Sequence, residues 1–336
     1  MPTIKDVAKE AGVSVATVSR VMNDNYPVHV DTKKAVVAAI EKLNYQRNAV
    51  ARGLKKKETF LIGLVAPDIS NPFYMEIARG IESVVSDSGY NLIFSSTDED
   101  PVKEMQMLSM LHARQVDAVI LASRSIENTG INNFINDGMT IVMIDTRIDG
   151  VEADLITENG YDAALKALEY GIRKGHRKIG IINGNLSVST GKERYQAYVD
   201  TLKKYEIPLH EEFVVLGDFK RDVAYVHTKK MLEDNRHDLP SLMFSANNYM
   251  TEGLLMAMRE LDLTVGEDIS VLSFGDISVP GLIHNKLTVI EQSASQIGKN
   301  AGTLLLNRLM NVTQGHHFKE IELQLNFREG DSVQEI

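Results

Sequence analysis

A chain of 336 residues, 43% apolar and 24% charged, is too long for one small core and has the composition of a globular protein with two or three domains. It contains no cysteine, which excludes disulfides, thiolate nucleophiles and cysteine-bound metal. No apolar run approaches a membrane span and the start is too polar for a secretory signal, so a cytoplasmic protein is expected. The net charge of −10 is unevenly spread: residues 1–57 carry 11 Lys and Arg against 5 Asp and Glu, the remainder 25 against 41. A polyanion could therefore be met only at the amino-terminal end.

That end reads as helices. Thr3 and Asp6 have capping-box spacing, and Ile4, Val7, Ala8 and Ala11 repeat at helical period. Gly12 can take the positive φ that stops a helix, and Ser14 can cap the next. In the second helix Val18 and Val21 face back onto the first. Val15, Ala16, Thr17, Ser19 and Arg20 are left outside, a small and polar face that suits a DNA major groove, with Arg20 placed to read a guanine edge. An ordinary helical hairpin with a polar surface is the other reading. A third helix over about Asp31 to Leu43 carries Val36, Ile40 and Leu43 on one face. Arg47, Arg52, Lys55, Lys56 and Lys57 then crowd a short basic linker.

From Thr59 strands alternate with helices. Leu61–Val65 is a continuous apolar run, as in a buried parallel strand, followed by a loop and a helix from about Pro72 to Ser88. Strands are expected at Leu92–Ser95, Ala118–Leu121, Ile141–Ile144 and Leu155–Thr157, with helices at about 101–114, 127–137 and 161–173. A second series has strands at Ile179–Ile182, Val214–Leu216, Leu242–Ser245 and Ile269–Phe274 and helices at about 191–205, 222–234 and 248–261. Two such series imply two α/β lobes with parallel sheets. Leu287–Ile290, a helix over 293–311, and one extended stretch Ile321–Phe327 close the chain, and Gly330 to Ile336 read as a frayed tail.

Four stretches carry a specific resemblance: Thr3-x-x-Asp6-Val7-Ala8, Gly12-Val13-Ser14, Ala16-Thr17-Val18-Ser19-Arg20-Val21 and Asn48-Ala49-Val50-Ala51-Arg52-Gly53-Leu54. They are similar to the headpiece and hinge of the lactose/galactose repressor family, and the resemblance runs over essentially the whole chain. It implies an all-α helix-turn-helix headpiece at 1–46 and a hinge at 47–58. A two-lobe, periplasmic-binding-protein-like α/β core would fill 59–336, with an amino-terminal lobe at about 59–160 and 291–320 and a carboxyl-terminal lobe at about 161–290 and 321–336. The lobes would be joined by three crossing strands, with a ligand between them at the carboxyl ends of the strands. Asn48, Ala51, Arg52 and Leu54 would lie in a hinge helix that forms on operator DNA, Leu54 wedging between base steps in the minor groove. Arg47 stands where the family usually has a proline.

The resemblance also marks candidate effector residues. Asn71 and Phe73 lie in the loop Asp68–Tyr74, where the plainer reading is a helix start and a core aromatic. Ser96, Thr97 and Asp98 follow the second strand, where Asp98 could accept from ligand hydroxyls or cap the helix near Pro101. Arg194 has a bidentate fork, and Asn247 is the family's cleft asparagine. Asn248 and Gly275 occupy positions where the family usually carries aspartate. With those carboxylates missing and Arg194 kept, a less acidic cleft is expected, holding an anionic effector such as a sugar acid or sugar phosphate.

Other chemistry is poorly supported. Gly184–Glu193 has the setting but not the spacing of a phosphate-binding loop, and His316-His317 lacks the companions a metal needs, so no cofactor or metal is expected. The expected protein is a non-enzymatic, DNA-binding transcription regulator. It would act as a homodimeric repressor on a palindromic double-stranded operator under control of a small effector, with no membrane contact. A catabolite-control type with a protein co-effector is the alternative. A solute-binding protein shares the two-lobe core but predicts a secretory signal and no basic head.

Overall fold

A computed structural model of the chain describes residues 2–23, 27–45, 58–277, 286–310 and 317–336, and two compact units divide at Thr59 and Phe60. The first unit holds α1 (Ile4–Glu10), α2 (Val15–Asn23) and α3 (Val30–Lys42). Asp6 reaches back to the start of α1, accepting from the Thr3 N–H and the Thr3 hydroxyl, each at 2.7 Å. Gly12 takes φ +65°, and Ser14 Oγ accepts from the Thr17 N–H at 3.1 Å to open α2. Val7, Ala8, Val18, Val21, Val36 and Ala39 form the core of this unit, flanked by Ile4, Ala11, Ile40 and Leu43. The three apolar faces predicted from spacing thus meet. The expected linker falls almost wholly outside the described residues, as do Arg47, Asn48, Ala51, Arg52 and Leu54.

The second unit carries two six-stranded sheets. The first contains β1 (Leu61–Ala66), β2 (Asn91–Ser96), β3 (Ala118–Leu121), β4 (Thr140–Ile144), β5 (Asp154–Glu158) and β11 (Glu320–Leu323). Its order is β11-β5-β4-β3-β1-β2, parallel throughout. Helices α4 (Pro72–Val85), α5 (Pro101–Ala113), α6 (Thr129–Asn136) and α11 (Ala294–Leu309) belong to this lobe. The second sheet contains β6 (Ile179–Asn183), β7 (Val214–Leu216), β8 (Leu242–Ser245), β9 (Ser270–Phe274), β10 (Thr288–Glu291) and β12 (Asn326–Arg328). Its order is β12-β10-β9-β8-β6-β7, with only the β10–β12 pair antiparallel. Helices α7 (Gly160–Arg173), α8 (Ser189–Lys204), α9 (Arg221–Asp234) and α10 (Asn248–Glu260) pack against it.

The lobes follow from where apolar surface is buried. β1, β3 and β4 are buried over almost their whole length, on both faces of the first sheet, and feed two separate clusters there. On one side α4 and α11 approach closely: a Cβ on Gly298 would lie 2.2 Å from the Ile77 carbonyl oxygen. Only glycine permits that distance.

Two expectations about the end of the chain are corrected. The stretch 321–327 is two strands serving two lobes, so the boundary lies near Gln324 rather than at residue 321. Ile321 and Leu323 pack on the first lobe's core, whereas Leu325 joins the second and Phe327 meets Tyr170 edge-on at 5.1 Å. The tail is docked rather than frayed. Ser332 Oγ accepts from the Thr288 N–H at 2.8 Å and donates to the Val271 carbonyl at 2.6 Å, Val333 is buried, and the Ile336 N–H donates to the Lys174 carbonyl.

Candidate DNA interface and interlobe cavity

In the first unit the expected reading face is exposed. Val15 and Ala16 open α2 on its outer side, Val15 with 40% of its surface accessible, while Val18 and Val21 turn inward. Arg20 and Thr3 are also exposed, and Thr17 and Ser19 are half-buried, Thr17 sharing a 2.9 Å hydroxyl contact with Ser14. Asn23 ends α2, and its side chain lies outside what is described. A helix with small outward residues can approach base edges closely, and an arginine one turn further on has the reach for a guanine.

In the second unit the chain crosses between lobes after β5, after β10 and between β11 and β12. Glu158, at the end of β5, joins two of these crossings by accepting from the Ser293 N–H at 2.5 Å and the Gln292 amide at 3.0 Å. Burial pushes its carboxyl up to about 7, against those hydrogen bonds and the nearby Arg194 charge.

Beside this hinge the carboxyl ends of both sheets face each other. Asn71, Phe73, Arg194 and Asn247 all line one small cavity of about 30 Å³ between the lobes. Their polar groups are largely engaged within the chain. Asn71 Oδ1 caps α4 by accepting from the Phe73 N–H at 3.0 Å, and also accepts from Asn248 Nδ2 at 3.0 Å across the cleft. Asn247 Oδ1 caps α10 through the Met250 N–H at 2.7 Å. The Arg194 guanidinium lies 3.6 Å over the Phe274 ring and donates to the Ala246 carbonyl at 2.7 Å. Its Nε is buried without a partner, and burial lowers its affinity for the proton despite Asp145, Glu158 and Glu193 nearby. Phe73 is half-buried, at once a wall of the cavity and a neighbour of the first lobe's core.

The structure does not bring Asp98 or Gly275 into this cavity. Asp98 is exposed and held by Lys103 at 2.6 Å, while the cap of α5 is Asp100, accepting from the Val102 N–H at 2.8 Å. Gly275, at φ +85°, borders a neighbouring chamber of about 500 Å³, and a Cβ there would lie 2.9 Å from Gln292 Oε1. Gln292 and Asn248 therefore fill the side where a longer residue would project.

Carboxylates at positions other than Asn248 and Gly275 are nevertheless present. Glu99, Asp145, Glu158 and Glu193 surround Arg194 and a second guanidinium, Arg124. All but Glu193 come from the first lobe, where the sequence reading named a single carboxylate, Asp98. Arg124, Tyr74, Glu99, Asp145, Thr190 and Phe219 were missed. Arg124 and Asp145 follow the carboxyl ends of β3 and β4, where open α/β sheets place ligand groups, and that position was the available signal. A chamber of about 560 Å³ beside Met105, Ile126 and Val188 adjoins at Glu99 and Arg124, and one of about 550 Å³ beside Arg147, Lys192 and Gln196 lies next to that chamber.

A helical head with an exposed second helix, on a two-lobe core with a polar cavity at its strand ends, defines a ligand-responsive DNA-binding regulator. Comparison with known proteins agrees. Residues 3–48 match the family model for bacterial regulatory proteins of the lacI family, and 59–328 match that for periplasmic binding proteins and the sugar-binding domain of the LacI family. The chain is 35% identical to the HTH-type transcriptional repressor PurR of Photorhabdus laumondii, covering 97% of this chain and 95% of that one. It is 31% identical to catabolite control protein A of Priestia megaterium, covering 97% and 98%. A solved lac repressor dimer bound to operator and the anti-inducer ONPF superposes with TM-score 0.85 at 25% identity, covering 99% of each chain. The chain belongs to the LacI family and is a DNA-binding transcription regulator, not an enzyme.

Proposed function

We propose that this chain represses transcription as a homodimer on a two-fold symmetric operator, under control of a small molecule held between its lobes. The observation that carries the reading is α2, which buries Val18 and Val21 while leaving Val15, Ala16 and Arg20 outside. Arg20 reads a guanine, Val15 and Ala16 meet thymine methyls with Ser19 also facing the bases, and Thr3, Thr17 and Asn23 position phosphates. Asn48, Ala51, Arg52 and Leu54 serve as the hinge contacts, with Leu54 the minor-groove wedge. The protein works in the cytoplasm, and no helix among the described residues is long and apolar enough to cross a membrane.

The effector changes the angle between lobes by binding one arrangement better than the other. Four carboxylates about two guanidiniums favour a neutral ligand with donors and acceptors over a sugar acid or sugar phosphate. It lies in the chambers beside the cavity floor. A floor of about 30 Å³ holds little more than one water, which favours a second reading, a protein co-effector. The relative named catabolite control protein A keeps that reading in view.

The test is selection of bound DNA from a random pool, followed by affinity measurements for Arg20→Ala and Leu54→Ala. Arg20→Ala should weaken the selected operator by roughly ten- to a hundredfold and relax one base position. Leu54→Ala should weaken binding with the dimer intact. A pool with no two-fold symmetric consensus would refute the reading.

A further inference from the structure

The residue that dominates the cavity floor is Arg124, which is 7% exposed. Its Nε donates to Glu99 at 2.5 Å, one terminal nitrogen donates to Thr146 Oγ1 at 2.9 Å, and the other donates to the Tyr74 hydroxyl at 2.8 Å. Tyr74 in turn donates to Asp145 at 3.0 Å, and Asp145 lies 3.6 Å from the guanidinium. The backbone beneath is fixed by fully buried Glu104, which accepts from the Ser123 hydroxyl, the Arg124 N–H and the Ser125 hydroxyl at 2.6–2.9 Å. Across the cleft, the guanidinium faces the ring of Phe219 at 5.2 Å.

Tyr74, Glu99 and Asp145 line this floor from the first lobe and Thr146 lies beside it, groups that would receive the hydroxyls of a polyol. Arg124 takes up all four and presents its outer face to an aromatic ring of the opposite lobe, a contact that favours closure. We propose that Arg124 is the specificity-determining residue of the cavity: a built-in guanidinium occupies the first lobe's ligand groups and closes the lobes onto Phe219, so that simple polyols are refused there. The proposal rests on the reading of the interlobe cavity as the effector site. It accounts for a floor with room for about one water between chambers of about 500 and 560 Å³.

The chain has no cysteine, so a cysteine pair at exposed Val102 and Leu186, one on each lobe, can carry two fluorophores in the full-length protein. Energy transfer should report one short distance in the parent. Arg124→Ala should lengthen or broaden it, and Arg124→Lys, which keeps the charge but loses the planar fork, should do so less. Phe219→Leu removes the facing ring without unpairing Glu99 and Asp145, so it tests closure if Arg124→Ala folds poorly. In unlabelled protein, a panel of neutral monosaccharides should bind Arg124→Ala at least tenfold more tightly than the parent, read from thermal shift against concentration. Unchanged lobe distances in both Arg124→Ala and Phe219→Leu would overturn the proposal. So would parent binding of these sugars that Arg124→Ala weakens, although that result would leave the cavity standing as the effector site. If the lobes open and sugars bind as expected but operator affinity ignores them, the regulatory reading of the cavity fails and the role of Arg124 stands.

Discussion

The two recognition surfaces of this molecule are assembled in opposite ways. The proposed DNA-reading face lies on one nine-residue helix, and the turn, cap and core contacts that orient it come from the first 45 residues. The interlobe cavity gathers residues from Asn71 to Gln292, delivered by the segments that follow seven strands and by the hinge crossing beside them. A local surface depends on a small core. A distributed one depends on two sheets and on whatever sets the angle between them.

Loss of the small core should therefore remove one function and spare the other. Val18 is fully buried among Val7, Val21 and Val36, and aspartate there would place an unpaired carboxylate where no partner is available. For Val18→Asp we expect loss of operator binding by more than about a hundredfold, the cost of an unfolded head. The thermal transition of residues 60–336 should stay where it was. A core transition that collapsed with the head would break the comparison. The converse change is Gly298→Val, whose side chain would press on the Ile77 carbonyl where α4 and α11 touch. It should destabilise the core by about 3 kcal/mol, as over-packing does, measured by urea unfolding. Helicity of an isolated 1–59 fragment offers the reference for the head.

The same contrast governs what the sequence discloses. The headpiece cues lie within a few residues of one another: Thr3 with Asp6, Gly12 before Ser14, and Val18 and Val21 one turn apart. In the core, strand positions were legible because buried parallel strands are continuous apolar runs. Helix starts at Asn71, Asn159 and Asn247 are caps with Asx chemistry. What was not legible is how two lobes share charge. Arg124 looked like any polar residue after a strand, and only its meeting with Glu99, Asp145 and Phe219 gives it a role. Asn248 read as a missing carboxylate, yet its amide both donates to and accepts from Asn71, at 3.0 and 3.4 Å. A carboxylate could do only half of that. The split of 320–328 between two sheets likewise depends on two cores lying at either end of one extended stretch.

The hinge offers a finer test, because Glu158 joins crossings that only tertiary structure brings together. Its carboxyl, pushed up to about 7, holds a proton in the folded chain that the unfolded chain, with its ordinary value near 4.5, has given up. The folded state thus binds more protons between these values, and stability should fall as pH rises from about 4.5 to 7, then level off. Glu158→Gln should remove that slope, a difference of at most about 3 kcal/mol at pH 8. The measurement is urea unfolding of parent and variant from pH 5 to 8. Parallel profiles would show that the site releases its proton with no more difficulty than an exposed glutamate.

The smallest effect belongs to the docked tail. His176 is fully buried, with one ring nitrogen 2.9 Å from Ser241 Oγ and the other 3.0 Å from the Gln334 carbonyl. The nitrogen facing a carbonyl must carry hydrogen, so in the neutral ring the other nitrogen accepts from Ser241. Burial lowers the imidazole's affinity for a second proton, opposed by the Gln334 carbonyl. The unfolded ring, with its ordinary value of 6.5, takes up that proton first. The contribution is therefore complete above about pH 6.5 and is lost as pH falls toward the lowered folded value. The loss should be small, under about 1 kcal/mol, since Ser241 can also donate to the Lys178 carbonyl at 3.2 Å and accept from a charged ring. Hydrogen exchange at the Ser332 and Gln334 amides should accelerate between pH 7.5 and 5.5 beyond the intrinsic rate change, and His176→Gln should abolish the excess. If the excess persists in the variant, the tail is released by some other group than this imidazole.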